Sequence, residues 1–198
     1  MIRILGKASS INVRKVLWTC EEIGIAYTRA DDGPELRQNP NGLVPVIVDG
    51  DFVLWESNSI IRYLANKWSA HTLQPTEPRA RAEVDRWIDW QATEFNSAWR
   101  YAFSAIVRKN PAFHDAREIE ASKRQWTRVV AILDGQLART GGHVACAAFT
   151  LADIPIGLSV NRWFMTPIAR PELPLVQAYY DRLATRAGFR QHGRNGTP

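Results

Sequence analysis

Cysteine is scarce in this chain: Cys20 and Cys146 are the only two in 198 residues. Two are too few for a disulfide framework, and their apolar flanks give no zinc-ligand spacing. No metal is expected. Such sparing use of cysteine fits a reducing compartment. No run of about 18 apolar residues occurs, which excludes a membrane-spanning helix and a membrane partner. The opening Met1-Ile2-Arg3-Ile4-Leu5-Gly6-Lys7 is charged too soon for a secretory leader and reads as a strand, so a cytoplasmic location is expected. The net charge is +5, yet the bases form no block. Arg79, Arg81 and Arg86 alternate with Glu77, Glu83 and Asp85, and Arg186, Arg190, His192 and Arg194 fall in what reads as a frayed tail. With no zinc-finger, helix-turn-helix or aromatic-basic strand pattern, nucleic acid is not an expected partner.

A large core is available, with 45% hydrophobic residues and eight tryptophans. The first third alternates strand and helix patterns. Ile2–Leu5 reads as a strand. Val13, Val16, Leu17, Cys20 and Ile23 recur at spacings of three and four, the apolar face of a helix that Gly24 stops. Ala26–Arg29 is a weaker second strand. Val46–Val48 and Phe52–Trp55 flank the turn Asp49-Gly50-Asp51. Ser57 is placed to cap a helix whose inward face is Ile60, Ile61, Leu64 and Trp68. Residues 69–77 break the periodicity. Beyond them strand patterns vanish. One long helix is expected from about Pro78 past Phe103, and a second carries Ile119, Trp126, Val129, Val130, Leu133 and Leu137 up to Gly141. A third is opened by a capping box, Thr150 with Asp153, and a staple of Phe149 on Ile154. Pro155 is expected to bend it by depriving the Leu151 carbonyl of its partner. A last helix spans about Leu175 to Ala187.

Pro45 opens a strand, which is awkward because it donates no hydrogen bond and restricts its neighbour. A cis Val44–Pro45 bond in a tight turn resolves this and leaves the Val44 backbone free for a peptide-like ligand. A trans proline on an edge strand is the plainer alternative.

The stretch Asn39-Pro40-Asn41-Gly42-Leu43-Val44-Pro45, followed by Trp55-Glu56-Ser57-Asn58-Ser59-Ile60-Ile61-Arg62-Tyr63-Leu64 and later by Leu151-Ala152-Asp153-Ile154, resembles the cytosolic glutathione S-transferase family. Leu5-Gly6 with Ser9-Ser10-Ile11-Asn12-Val13-Arg14-Lys15-Val16 resembles a serine-type bacterial subgroup of it. The resemblance implies an α/β thioredoxin-like N-terminal domain (1–70) followed by an all-α helical-bundle C-terminal domain (78–198) that contributes the electrophile site. It implies glutathione as co-substrate, a small hydrophobic electrophile as partner, a homodimer, and conjugation chemistry of the detoxifying kind. It further implies a cis Pro45, a Val44 backbone that pairs with the cysteinyl unit, Glu56 accepting from the ligand ammonium and Ser57 donating to its carboxylate. A helix start beside an acid suits a zwitterion, because free N–H groups and the dipole favour the anionic end.

Conjugation needs an ionised thiol, and an unperturbed thiol has a pKa of about 8.5. Donors between the first strand and first helix would lower it. Ser10, four residues before Arg14 as in serine-type members, is the first choice; Ser9 and Asn12 are the alternatives. No cysteine stands there, which argues against disulfide-reducing chemistry. Two departures from the family pattern threaten the glycyl end of glutathione. The segment from Ala30 to Gly42 is short, and Leu43 stands where Gln or Lys is common. Arg37 or Gln38 would have to replace the contact. Trp99, Arg100 and Phe103 are expected to wall the electrophile pocket, with Trp87, Ile88 and Trp126 in the core. Other glutathione chemistry such as peroxide reduction, or a non-catalytic binding or regulatory role, stays open at this level.

Overall fold

The computed structural model describes residues 1–198. The element order is β1 (Ile2–Leu5), α1 (Ile11–Ile23), β2 (Tyr27–Ala30), a 3-10 turn (Pro34–Gln38), β3 (Val46–Asp49), β4 (Phe52–Trp55), α2 (Ser57–Lys67), α3 (Pro78–Trp90), a π turn (Gln91–Phe95), α4 (Asn96–Ile106), α5 (Ala116–Thr140), α6 (Asp153–Met165), α7 (Pro174–Leu183) and α8 (Ala187–His192). The strands form one mixed sheet in the order β2-β1-β3-β4. β1 runs parallel to β2 and antiparallel to β3, and β3–β4 is a hairpin pairing Asp49 with Phe52. An N-terminal α/β part is thus followed by an all-α bundle, as the resemblance implies. No helix is long and apolar enough to cross a membrane.

Several local expectations are corrected. Ser57 is the first residue of α2 rather than its cap. Glu56 caps, its carboxylate accepting from the Asn58 N–H at 3.3 Å. Trp68 lies at the helix end, 38% exposed, not on the inward face. The capping box at α6 is half formed. The Asp153 carboxylate accepts from Thr150 N (2.8 Å), but the Thr150 hydroxyl donates to that carboxylate instead of capping a backbone N–H. Asp153 also accepts from Val144 N and the Tyr179 hydroxyl, each at 2.9 Å, so it is a buried hub joining three segments. Pro155 stands in the first turn of α6, where an N–H is surplus, and the Leu151 carbonyl accepts from Ile154 N at 3.3 Å. The last expected helix is two, α7 and α8. Cys20 is buried as its flanks suggest, but Cys146 is exposed.

The expected frayed tail is packed. α8 lies on α1, Arg186 pairs with Glu22, and His192 is buried. Arg14 donates to the Thr197 carbonyl (2.8 Å) and the Pro198 carbonyl (2.7 Å), and Asn161 donates to Thr197 at 2.9 Å. The reason is Trp18. Its fully buried indole projects from α1 between Phe149 and Phe189, with ring centroids at 5.9 and 4.9 Å. A Cβ on Gly188 would stand 2.4 Å from that indole, so only glycine lets α8 approach. One aromatic side chain therefore binds the α/β part to the bundle. Trp18→Ala should lower unfolding free energy by about 3–5 kcal/mol, read from urea denaturation; a loss below about 1 kcal/mol would refute this anchoring role.

Candidate functional site

A cleft of about 910 Å³ opens between the loop after β1, the loop before β3, α4 and α6. Ser9, Ser10 and Asn12 line it from the first helix's start, with Lys7 and Ile11; Leu43 and Val44 line it from the second loop. Gly6 brings these segments together. At φ 134°, it lies where a Cβ would stand 2.6 Å from Val13 and 2.8 Å from Val44. Ser10 occupies the N-cap position of α1 (φ −72°, ψ 125°) without making a side-chain cap bond. Its hydroxyl is therefore free, at a helix end where backbone N–H groups and the dipole favour negative charge.

The Val44–Pro45 bond is cis, and neither backbone group of Val44 has a partner within the chain. Asn39 holds this loop. Its side chain donates to the Leu43 carbonyl at 2.7 Å and accepts from Asn41 N at 3.0 Å. Leu43 is 65% exposed on the rim. Glu56 has φ 73°, a left-handed conformation that costs a non-glycine residue on the order of 1–3 kcal/mol. It sets an exposed carboxylate beside the start of α2.

Some expected residues do not line the cleft. Pro45 and Ser57 are buried, and Glu56 lies outside the lining. Arg37 and Gln38 are exposed, with Arg37 on a separate hollow formed with Asp32, Gly33, Pro34 and Leu36. The cause is an ion pair between Glu35 and Arg3, which pins the 3-10 turn to β1 and turns its other face outward. Of the aromatic-cationic wall, Trp99 and Arg100 line the cleft. Phe103 is buried behind them, edge-on to Trp99 at 5.4 Å. Trp87, Ile88 and Trp126 are core residues.

The sequence reading missed Lys15, Gln91 and Arg162. Lys15 is fully buried and donates to Asn58 (3.1 Å), Gln91 (3.0 Å) and the Ser57 hydroxyl (3.4 Å). No carboxylate touches it. Burial lowers its pKa to about 8, with Glu56 acting to raise it and Arg162 to lower it further. Gln91, which stands at the C-cap of α3 and opens the π turn, accepts the Lys15 bond through its side-chain oxygen. The same side chain donates to Asn96 and Ser159, both at 2.9 Å. A lysine within the buried stretch Val13–Cys20 is the one hint available from sequence.

A family model described as "Glutathione S-transferase, N-terminal domain" matches residues 9–67. Glutathione S-transferase GstB of Escherichia coli K12 is 34% identical over 96% of this chain and 97% of its own length. Glutathione S-transferase 3 of Zea mays is 30% identical over 96% of this chain and 92% of its own. The crystal structure of the theta class glutathione S-transferase from Xanthomonas axonopodis pv. citri with glutathione bound is similar at TM-score 0.89 and 41% identity, over 96% of each chain. The fold and this cleft are those of a glutathione-transferase-like protein, and the chain belongs to the glutathione S-transferase family.

Lys15 gives the site a pH signature. Its folded pKa of about 8 lies below the unfolded 10.5, so between those values the unfolded chain holds more protons. Stability contributed by this group therefore rises as pH climbs from 8 towards 10.5. Unfolding free energy from urea denaturation should rise for wild type relative to Lys15→Met over that window by on the order of 3 kcal/mol; parallel curves would refute it.

Proposed function

We propose that Ser10 holds the thiolate of glutathione while it attacks a small hydrophobic electrophile, which makes the chain a serine-type member of its family. The chain is an enzyme of the glutathione-transferase type, with glutathione as co-substrate. One observation carries the role of Ser10: its hydroxyl lines the cleft at the start of α1 and is spent on no cap. A donated hydrogen bond and the helix end both favour the ionised sulfur and lower its pKa. Ser9 and Asn12 flank it without that position on the helix axis.

The remaining holding set follows from the chemistry of a γ-glutamyl peptide. The unpaired Val44 N–H and C=O suit the cysteinyl backbone, as an added strand would. Glu56 accepts from the ammonium. Ser57 donates to the neighbouring carboxylate, because Lys15 already donates to its oxygen and leaves the hydroxyl proton for the ligand. The bound glutathione of the Xanthomonas relative supports this ligand. Trp99 offers the apolar surface against which the electrophile is held as the carbon–sulfur bond forms.

We assign the protein to the cytoplasm, supported by an exposed free thiol at Cys146. We assign it a homodimer, supported by Phe52 and Trp68, which are 44% and 38% exposed on the α/β part. Sedimentation equilibrium should return twice the chain mass; a monomer at micromolar concentration would refute the dimer.

Ser10→Ala should lower kcat/KM with 1-chloro-2,4-dinitrobenzene by about 10²-fold and move the alkaline inflection of its pH profile upward. Glutathione affinity by titration calorimetry should change far less. Equal rates for the two proteins would sink the assignment, and no glutathione binding at millimolar ligand would sink the whole reading.

A further inference from the structure

The cleft is lopsided in charge. Lys7, Arg100, Arg108 and Arg162 line it, and none of their side chains makes a hydrogen bond or ion pair. The acid that lines it, Asp31, is already paired with Arg29. Three of the four cations come from the helical part, where Trp99 also lies.

Arg162 is the informative one. It is 2% exposed, and its Nε and Nη1 are enclosed without any partner. The guanidinium lies against both Trp99 and Phe103, 4.3 and 4.1 Å from the ring centroids, in the corner that these two nearly perpendicular rings make. The rings attract the cation but give its N–H groups no oxygen acceptor. Arg108 contacts the same Phe103 ring at 5.3 Å, so two cations flank one aromatic. Burial, and then the charges of Arg14 and Arg108, press the Arg162 pKa down to about 9, which leaves it charged at neutral pH. A buried, charged, unpaired fork is costly unless something anionic fills it. A guanidinium is a donor fork that suits a carboxylate, and Nη2 is the nitrogen of Arg162 that is not shut in.

We propose that the helical wall of the cleft is an anion subsite, in which Arg162 and Arg108 seat a carboxylate carried by the electrophile. The inference rests on the transferase reading and narrows it. The preferred electrophile has an apolar or aromatic body stacked by Trp99 and an anionic group directed at Arg162, with the reacting carbon towards Ser10. Arg100 adds to the field from the same wall. The carboxylate stays unchanged through the reaction and serves only for orientation.

A matched pair of electrophiles reads this directly: 4-chloro-3-nitrobenzoate and its neutral amide, 4-chloro-3-nitrobenzamide. In each, the thiol proton has already passed to solvent. The thiolate forms the carbon–sulfur bond at the chlorinated carbon, and chloride leaves with the carbon–chlorine electron pair. Wild type should favour the benzoate by tenfold or more in kcat/KM, although its ring is the less electron-poor of the two. Arg162→Gln should bring that ratio down towards one; Arg108→Gln, at an exposed position, should reduce it in the same direction and serves if the buried variant folds poorly. Equal use of the two electrophiles by wild type would overturn the proposal. So would a loss of glutathione affinity in Arg162→Gln as large as its loss of benzoate use, which would give the arginine to the tripeptide instead. Unreactive 3-nitrobenzoate and 3-nitrobenzamide, titrated calorimetrically with S-methylglutathione present, separate the two layers. Selective binding of the anion without turnover would uphold the subsite and sink the transferase reading; turnover without selectivity would do the reverse.

Discussion

A buried positive charge that no carboxylate touches is the constraint on which this structure turns. Lys15 sits where α1 meets both α2 and the bundle, and its ammonium is satisfied by neutral oxygens alone. Hydrogen bonds to such oxygens tolerate an ammonium but do not neutralise it, so the field remains. Replacing those partners with acids would have been easier for stability. It would also have cancelled the charge beneath Ser57, where the proposed ligand carboxylate needs it. Gln91, at the start of the π turn, ties the same ammonium to the bundle, since its amide also reaches Ser159 on α6.

Helix α1 thereby acts as the spine of the protein. Its first turn presents Ser10 to the cleft, its second buries Arg14 and Lys15, and its third sends Trp18 into the bundle. These contacts are one turn apart, so a rotation or slide of α1 disturbs the thiol position, the carboxylate field and the domain contact together. That coupling explains why a small α/β part with a four-stranded sheet is not left to find its own angle against the helices. Gly6 and Gly188 mark two places where backbone must come close to α1, one to Val13 and one to Trp18.

Much of this was legible in the sequence. The four strands, α1 and α5 rest on short-range patterns, apolar periodicity and a stop at glycine; the proline at a strand start left cis and trans both open, and the family resemblance implied the cis bond that the structure has. The Ser10 loop could be found because thiol chemistry demands donors there. What could not be read depends on contacts between distant segments. Glu56 displaced Ser57 as the cap because the turn after β4 forces a left-handed residue just before α2, and spacing alone does not reveal φ. Arg37 pointed outward because Glu35 found Arg3 on another strand. The tail reads as frayed because what packs it is remote in sequence: Arg186 pairs with Glu22, some 160 positions earlier, and α8 lies on α1, while Arg194 takes the nearby Asp181. The π turn after α3 leaves no compositional trace.

The distribution of charge makes the same point more sharply. Along the chain the excess of five positive charges is spread thin, with no block of bases. In the fold, Lys7, Arg14, Lys15, Arg100, Arg108 and Arg162 converge from four separate segments on one cleft and its floor. Their mutual repulsion is real, since Arg14 and Arg108 each weaken the protonation of Arg162, and Arg162 that of Lys15. Such a cluster persists only where burial in packed aromatic and amide surroundings holds it and where anions relieve it during function. Glutathione alone brings two carboxylates and a thiolate. In the proposed reading, the thiolate and the γ-glutamyl carboxylate are met on the α/β side, by the start of α1 and by the start of α2 above Lys15. The arginines of α4 and α6 stand on the opposite wall, stacked on rings that have no role in holding a peptide backbone, and it is there that an anionic second substrate completes the balance.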